Sequence, residues 1–302
     1  MKIFALSNSV ELANRMSNNL SESETNKFSD GEIKVVIKES VRGKKVLILG
    51  SLCSSDDIIE LTMMVDAAKR ASAKEVVALV PYLGYMRQDR KDEPRTSIGA
   101  KVIAKIIESS GVDQLITLDL HATQIEGFFN IPVTHLTGES VFVPYIKSNF
   151  DLSEYMIVSP DVGGAKRAKK FAHSLNLPLA IINKEREMAN QVSSMELIGD
   201  VTNKNVIIVD DMVDTAGSLC KAVDTLLENG ANKVSAFITH GVLSGPALDR
   251  ISKSKIDQLY VSDSINVKNS DKITVITSSN IFSNTLNIIK KKQSVSHMLS
   301  VN

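Results

Sequence analysis

Short β-branched runs alternate with stretches in which apolar residues recur every three to four positions, and the alternation continues along the whole 302-residue chain. The runs at 46–49, 76–80, 114–118, 156–158, 179–182, 206–209 and 233–238 predict strands. Between them, Leu61, Met64, Val65 and Ala68 fall at i, i+3, i+4 and i+7, and Leu219, Ala222, Val223, Leu226 and Leu227 repeat that spacing, so each set makes one buried helical stripe. Gly230 supplies a stop for the second helix. Strand and helix in regular succession predict an α/β fold with mainly parallel sheets flanked by helices.

The pattern also repeats itself. KVLIL, a loop containing Ser51-Leu52-Cys53, a helix and AKEVV are echoed by NVIIV, a loop ending Ser218-Leu219-Cys220, a helix and ANKVS. KIFALS, with a helix ending near Leu20, parallels YMIVSP, with a helix ending near Leu175. An internal duplication with a period of about half the chain is the simplest reading, and the length suits two domains. The halves differ at the carboxyl end of the equivalent strand, where open α/β sheets bind ligands: Gly50 and Ser51 in the first, Asp210 and Asp211 in the second.

Composition narrows the function classes. Lys plus Arg equals Asp plus Glu at 35 each, so no basic excess marks a nucleic-acid or anionic membrane surface, and any polyanion site is local. The absence of Trp argues against a stacking platform for single strands. No run approaches the roughly 18 apolar residues of a membrane span, and the opening MKIFALSNSV is too short in apolar residues for a signal-peptide core. A cytoplasmic protein without nucleic-acid or membrane partners is expected, with Cys53 and Cys220 as reduced thiols.

The most informative stretch is VIIVDDMVDTAGSL from Val206. A strand runs into Asp210 and Asp211, then Asp214, and Thr215, Ala216, Gly217 and Ser218 open a helix whose amides and dipole suit a phosphate. A simple helix cap and a phosphoacceptor pocket both explain parts of this run, and neither explains all of it.

The run resembles the phosphoribosyl diphosphate loop of type I phosphoribosyltransferase-like folds. Five further motifs, FSDGE at 28–32, RQDRKD at 87–92, LDLHATQIEGFF at 118–129, SPDVGGAKRA at 159–168 and NKERE at 183–187, resemble in order and spacing the ribose-phosphate diphosphokinase family. The resemblance implies two tandem type I phosphoribosyltransferase-like domains: an ATP-contributing domain at 1–140, with the tail 290–302 packed on it, and a ribose-5-phosphate-binding domain at 141–289. It implies diphosphoryl transfer from magnesium-bound ATP to the 1-hydroxyl of ribose 5-phosphate. The alternatives are a phosphoribosyltransferase that consumes the product and a non-catalytic associated subunit.

By the same resemblance, Phe28, Asp30, Gly31, Glu32, Arg87, Gln88, Asp92 and His121 contact ATP, with Phe28, Asp30 and Glu32 reaching from a neighbouring subunit of a homohexamer built from dimers. His121 and Asp161 serve the Mg2+ site. Lys184 and Arg186 form a catalytic lid, and Arg186, Asp210, Asp211, Asp214, Thr215, Ala216, Gly217 and Ser218 bind ribose 5-phosphate. Without the resemblance, the polar segment KEREMANQVSSMEL reads as a surface loop. Glu126 stands where the family has Gln, beside a phosphate and ADP regulatory site, so weaker anion responses are expected.

Overall fold

Two sheets repeat one strand order. The first half contains β1 (Lys2–Ala5), α1 (Val10–Met16), β2 (Ser23–Lys27), β3 (Ile33–Ile37), β4 (Lys45–Leu49), α2 (Ser55–Arg70), β5 (Glu75–Val80), α3 (Gly99–Ser109), β6 (Gln114–Leu118) and β7 (Val133–Leu136). Its parallel sheet runs β1-β4-β5-β6-β7. The second half contains α4 (Glu139–Asn149), β8 (Tyr155–Ser159), α5 (Ala165–Leu175), β9 (Leu179–Met188), β10 (Gln191–Ile198), β11 (Asn205–Val213), α6 (Gly217–Glu228), β12 (Lys233–Gly241), α7 (Ala247–Lys253), β13 (Leu259–Ser262), β14 (Ile273–Ile276) and α8 (Ser279–Lys290). Its sheet runs β10-β9-β8-β11-β12-β13-β14. Strands 1, 4, 5, 6 and 7 therefore correspond to 8, 11, 12, 13 and 14, and the duplication is visible in topology. This computed structural model describes the backbone of residues 1–188, 191–291, 293 and 294, and their side chains except at 184–194.

The chain divides into two compact units. The first comprises Met1–Thr137, Ser264–Asn266 and α8; the second comprises Gly138–Asp263 and Val267–Ser278. Each unit thus takes the helix that follows the other's last strand: α4 packs on α5 in the second, and α8 packs on α1 in the first.

The seven predicted strands lie within β4, β5, β6, β8, β9, β11 and β12. The α2 stripe of Leu61, Met64, Val65 and Ala68 is buried in the first unit's core. That helix starts at a capping box, in which the Ser54 hydroxyl accepts from the Asp57 amide and the Asp57 carboxylate accepts from the Ser54 amide at 2.7 Å. Such a cap stabilises by about 1 kcal/mol. In α6, Leu219, Ala222, Val223 and Leu226 are buried, and Gly230 at φ +88° turns the chain away.

Two expectations change. The first helix ends at Met16, not near Leu20, because Ser17 adopts an extended backbone. The polar segment after 182 is a hairpin, not a loop: β9 continues to Met188 and β10 returns antiparallel to it. The returning strand is anchored by Met195 and Leu197, which pack against the second unit's core. The corresponding interval of the first half is the separate β2–β3 hairpin.

Candidate active site

Strand β11 lies between β8 and β12, and its carboxyl end carries the acidic run. Asp210 and Asp211 are still within the strand, later than the predicted end at 209. The Asp211 side chain is 5% exposed and that of Asp210 23%. Arg167 of α5 places Nη1 3.3 Å from Asp210 Oδ1 and 3.4 Å from Asp211 Oδ1. Burial, and then the Asp211 carboxylate, push the Asp210 carboxyl well above its usual range, while Arg167 pulls it back. A pair of carboxylates held beside one cation suits hydroxyl groups that donate hydrogen bonds.

Past Val213 the chain turns through Asp214 and Thr215 into α6, whose N-cap is Ala216 at φ +59°. A non-glycine residue in that left-handed conformation costs roughly 1–2 kcal/mol, offset by burial of its methyl group. The simple capping reading fails here, since Ala216 offers no side-chain acceptor to the helix amides. Thr215 and Ser218 are exposed beside it. An uncapped helix start after a strained turn matches what an anion needs from a backbone cradle.

Asp161 follows β8. Its Oδ1 accepts from the Gly164 amide at 2.8 Å, and its carbonyl accepts from Ser159 Oγ at 2.7 Å. A Cβ on Gly164 would lie 2.9 Å from Ser159 Oγ, so glycine is what lets the turn close. The Gly164 amide, near the start of α5, is thus engaged by Asp161 itself.

In the first unit, His121 is exposed just after β6, beyond Asp119 at φ +46°. His135 of β7 steadies this turn: its Nε2 accepts from the Leu120 amide at 2.9 Å, so Nδ1 carries the proton and donates to Glu126 Oε1 at 2.6 Å. Glu126 is therefore engaged by an imidazole. Gln124 donates to Asp89 at 3.2 Å, joining the 121–129 segment to the 87–92 loop. Arg87 and Gln88 are exposed there, and the Gln88 side chain lies against Gly99 at the start of α3. Asp92 pairs with Arg90 at 2.9 Å.

Phe28, Asp30, Gly31 and Glu32 form the exposed tip of the β2–β3 hairpin, closed by Phe28 N to Glu32 O at 2.8 Å, with Gly31 at φ +93°. The hairpin is tied to α2 by Lys27 and Asp56 at 2.5 Å. Lys184 and Arg186 stand on β9 opposite Met195 and Val192; their side chains lie outside the described residues, as does the tail from 295 onward.

Sequence reading missed Arg167, although it sits inside the SPDVGGAKRA motif, and it missed His135, which only the fold brings back to Leu120. Among the described residues no group of three His, Cys, Asp or Glu forms a metal cluster. Among the described residues no helix is long and apolar enough to cross a membrane.

Residues 1–111 match the family model described as the N-terminal domain of ribose phosphate pyrophosphokinase, and residues 186–300 match that of the phosphoribosyl synthetase-associated domain. A ribose-phosphate pyrophosphokinase of Helicobacter hepaticus is 47% identical over 293 residues, covering 96% of this chain and 94% of the relative. One from Porphyromonas gingivalis is 43% identical over 299 residues, covering 97% and 96%. The crystal structure of phosphoribosylpyrophosphate synthetase from Mycobacterium smegmatis superposes with a TM-score of 0.90 at 34% identity, covering 96% of this chain and 99% of that one.

Proposed function

This chain belongs to the ribose-phosphate pyrophosphokinase family, and we propose from that premise that it transfers the diphosphoryl group of ATP to the 1-hydroxyl of ribose 5-phosphate. The products are 5-phosphoribosyl 1-diphosphate, a donor for nucleotide biosynthesis, and AMP. The observation that carries this reading is the cradle after β11, where a strained Ala216 opens α6 directly beyond the Asp210 and Asp211 pair.

The 5-phosphate would sit against Asp214, Thr215, Ala216, Gly217 and Ser218, receiving backbone amides and the two exposed hydroxyls. Asp210 and Asp211 would accept from the ribose hydroxyls, with Arg167 holding both carboxylates in place. Arg87, Gln88, Asp92 and His121 would bind ATP, the guanidinium supplying a planar fork for phosphate oxygens. Phe28, Asp30, Gly31 and Glu32, exposed on their hairpin tip, would complete an ATP site on a neighbouring copy.

Magnesium bound through the ATP phosphates, His121 and Asp161 would supply charge neutralisation on the polyphosphate. Lys184 and Arg186 would offset the charge that develops on the transferred phosphoryl oxygens, and Arg186 would also reach the ribose 5-phosphate. No described side chain is placed as a dedicated base, so positioning of the sugar hydroxyl in line with the β-phosphorus would supply much of the rate.

Self-association is supported by exposed apolar residues of the first unit: Phe28, Ile59 and Met63 one turn apart on α2, and Val102 and Ile106 one turn apart on α3. A homohexamer built from dimers is the proposed assembly, read by light scattering. The activity is tested by mixing the purified protein with magnesium, ATP and ribose 5-phosphate. AMP should form only when the sugar phosphate is present; AMP formation that ignores it contradicts the reading.

A further inference from the structure

The back of the phosphate cradle is held by a segment that carries none of the site residues. Beyond β12 the chain continues as Val242–Arg250 and takes up three successive carbonyls of the cradle. Val213 O accepts from Val242 N at 2.9 Å and Leu243 N at 3.1 Å, Asp214 O accepts from Ser244 N at 3.1 Å, and Thr215 O accepts from Arg250 Nη1 at 2.9 Å. The Ser244 hydroxyl also bonds to the Asp214 carboxylate. Leu243 at φ +50° makes the bend that brings this segment round.

In a planar trans peptide the C=O and the N–H of one unit point in opposite directions. Anchoring the carbonyls of Val213, Asp214 and Thr215 on one side therefore turns the amides of Asp214, Thr215 and Ala216 to the other. The last of these peptides is the critical one. It precedes Ala216, whose left-handed conformation is costly and persists only where its surroundings enforce it. Backbone donors hold the first two carbonyls, whereas the third is held by a cation, which also polarises the peptide and strengthens its N–H as a donor. The guanidinium lies close under the loop: a Cβ on Gly217 would be 3.2 Å from Arg250 Nη1.

We infer that Arg250 is a positioning residue for the sugar-phosphate site: it fixes the Thr215–Ala216 peptide from behind, so that the Ala216 amide faces the ligand phosphate. The inference rests on the reading of the 214–218 loop as the ribose-5-phosphate cradle. It assigns Arg250 no contact with substrate, and its influence is confined to the phosphate end of one substrate.

The test compares wild type, Arg250→Met and Arg250→Lys, measuring ribose 5-phosphate binding by calorimetry, KM for each substrate, kcat and melting temperature. Arg250→Met should weaken ribose 5-phosphate binding and raise its KM roughly three- to tenfold, the factor for one charge-assisted hydrogen bond at an exposed site. KM for ATP and kcat at saturating sugar phosphate should stay within about twofold. Arg250→Lys, which keeps a cation able to donate to the Thr215 carbonyl, should recover much of the affinity. An Arg250→Met protein with unchanged ribose 5-phosphate affinity overturns the inference, as does one losing both substrates equally with a lowered melting temperature. If wild type itself does not bind ribose 5-phosphate, the reading of the cradle fails, and the inference falls with it for that separate reason.

Discussion

Arg167 Nη1 stands 3.3 Å from Asp210 Oδ1, across 43 residues of chain, and joins the helix after β8 to the end of β11. Only 17% of the arginine side chain is exposed, so the contact is poorly screened by water. Without that cation, two adjacent carboxylates at the end of a buried strand repel each other at short range. The pair is therefore an arrangement of three groups, in which burial, Asp211 and Arg167 together set the charge of Asp210.

Replacing Arg167 by Met should raise KM for ribose 5-phosphate by about tenfold or more, since a hydrogen bond to a charged group contributes about 1.5–3 kcal/mol. KM for ATP should change little, and Arg167→Lys should recover part of the loss. Because Arg167 opposes the upward shift of Asp210, its removal should also move the acidic limb of kcat/KM for ribose 5-phosphate to higher pH. Initial rates with each substrate varied, across pH, read all three.

Asp210 should also show a stability cost. Its folded-state pKa lies above its unfolded value near 3.9. The protonated form is therefore favoured by folding, and its contribution is full below the unfolded value and lost as pH rises through the folded one. Asp210→Asn should remove that pH dependence. Near neutral pH it should raise the melting temperature, while ribose 5-phosphate turnover falls. A melting temperature below wild type at neutral pH contradicts the assignment.

One pair of variants separates the Glu126 hydrogen bond to His135 from the expected repulsion of a regulatory anion. Glu126→Gln keeps an acceptor for His135 Nδ1 and removes the charge, so stability should hold while responses to phosphate and ADP strengthen. Glu126→Ala removes the acceptor, which should cost about 1 kcal/mol and raise KM for ATP by loosening the turn that carries His121. Unchanged anion responses in Glu126→Gln would show that the carboxylate does not repel a regulatory anion.

Lys184→Ala should lower kcat by roughly 10² to 10³, the scale for removing one preorganised donor to developing charge. Single-turnover rates with ATP and ribose 5-phosphate both saturating measure it. A near-normal rate would take Lys184 out of the mechanism.

The central strands, and the acidic loop that follows one of them, were legible because KVLIL and NVIIV are apolar after their first residue, and a strand of that kind has few other places to go. The outer and hairpin strands were not. SETNK in β2 is polar, and QVSSMELI in β10 shows its anchors Met195 and Leu197 only against α6 and the core. The candidate loop was legible as a loop, and its supports were not. Arg167 meets Asp210 across 43 residues and Arg250 meets Thr215 across 35, distances at which no local pattern of charge or period carries information.

Diphosphoryl transfer is tested most directly with ATP carrying a radioactive β-phosphate, incubated with magnesium, ribose 5-phosphate and the purified protein. Attack at the β-phosphorus should place the label in the sugar diphosphate and release unlabelled AMP. Label recovered in ADP, with no labelled sugar product, would contradict it.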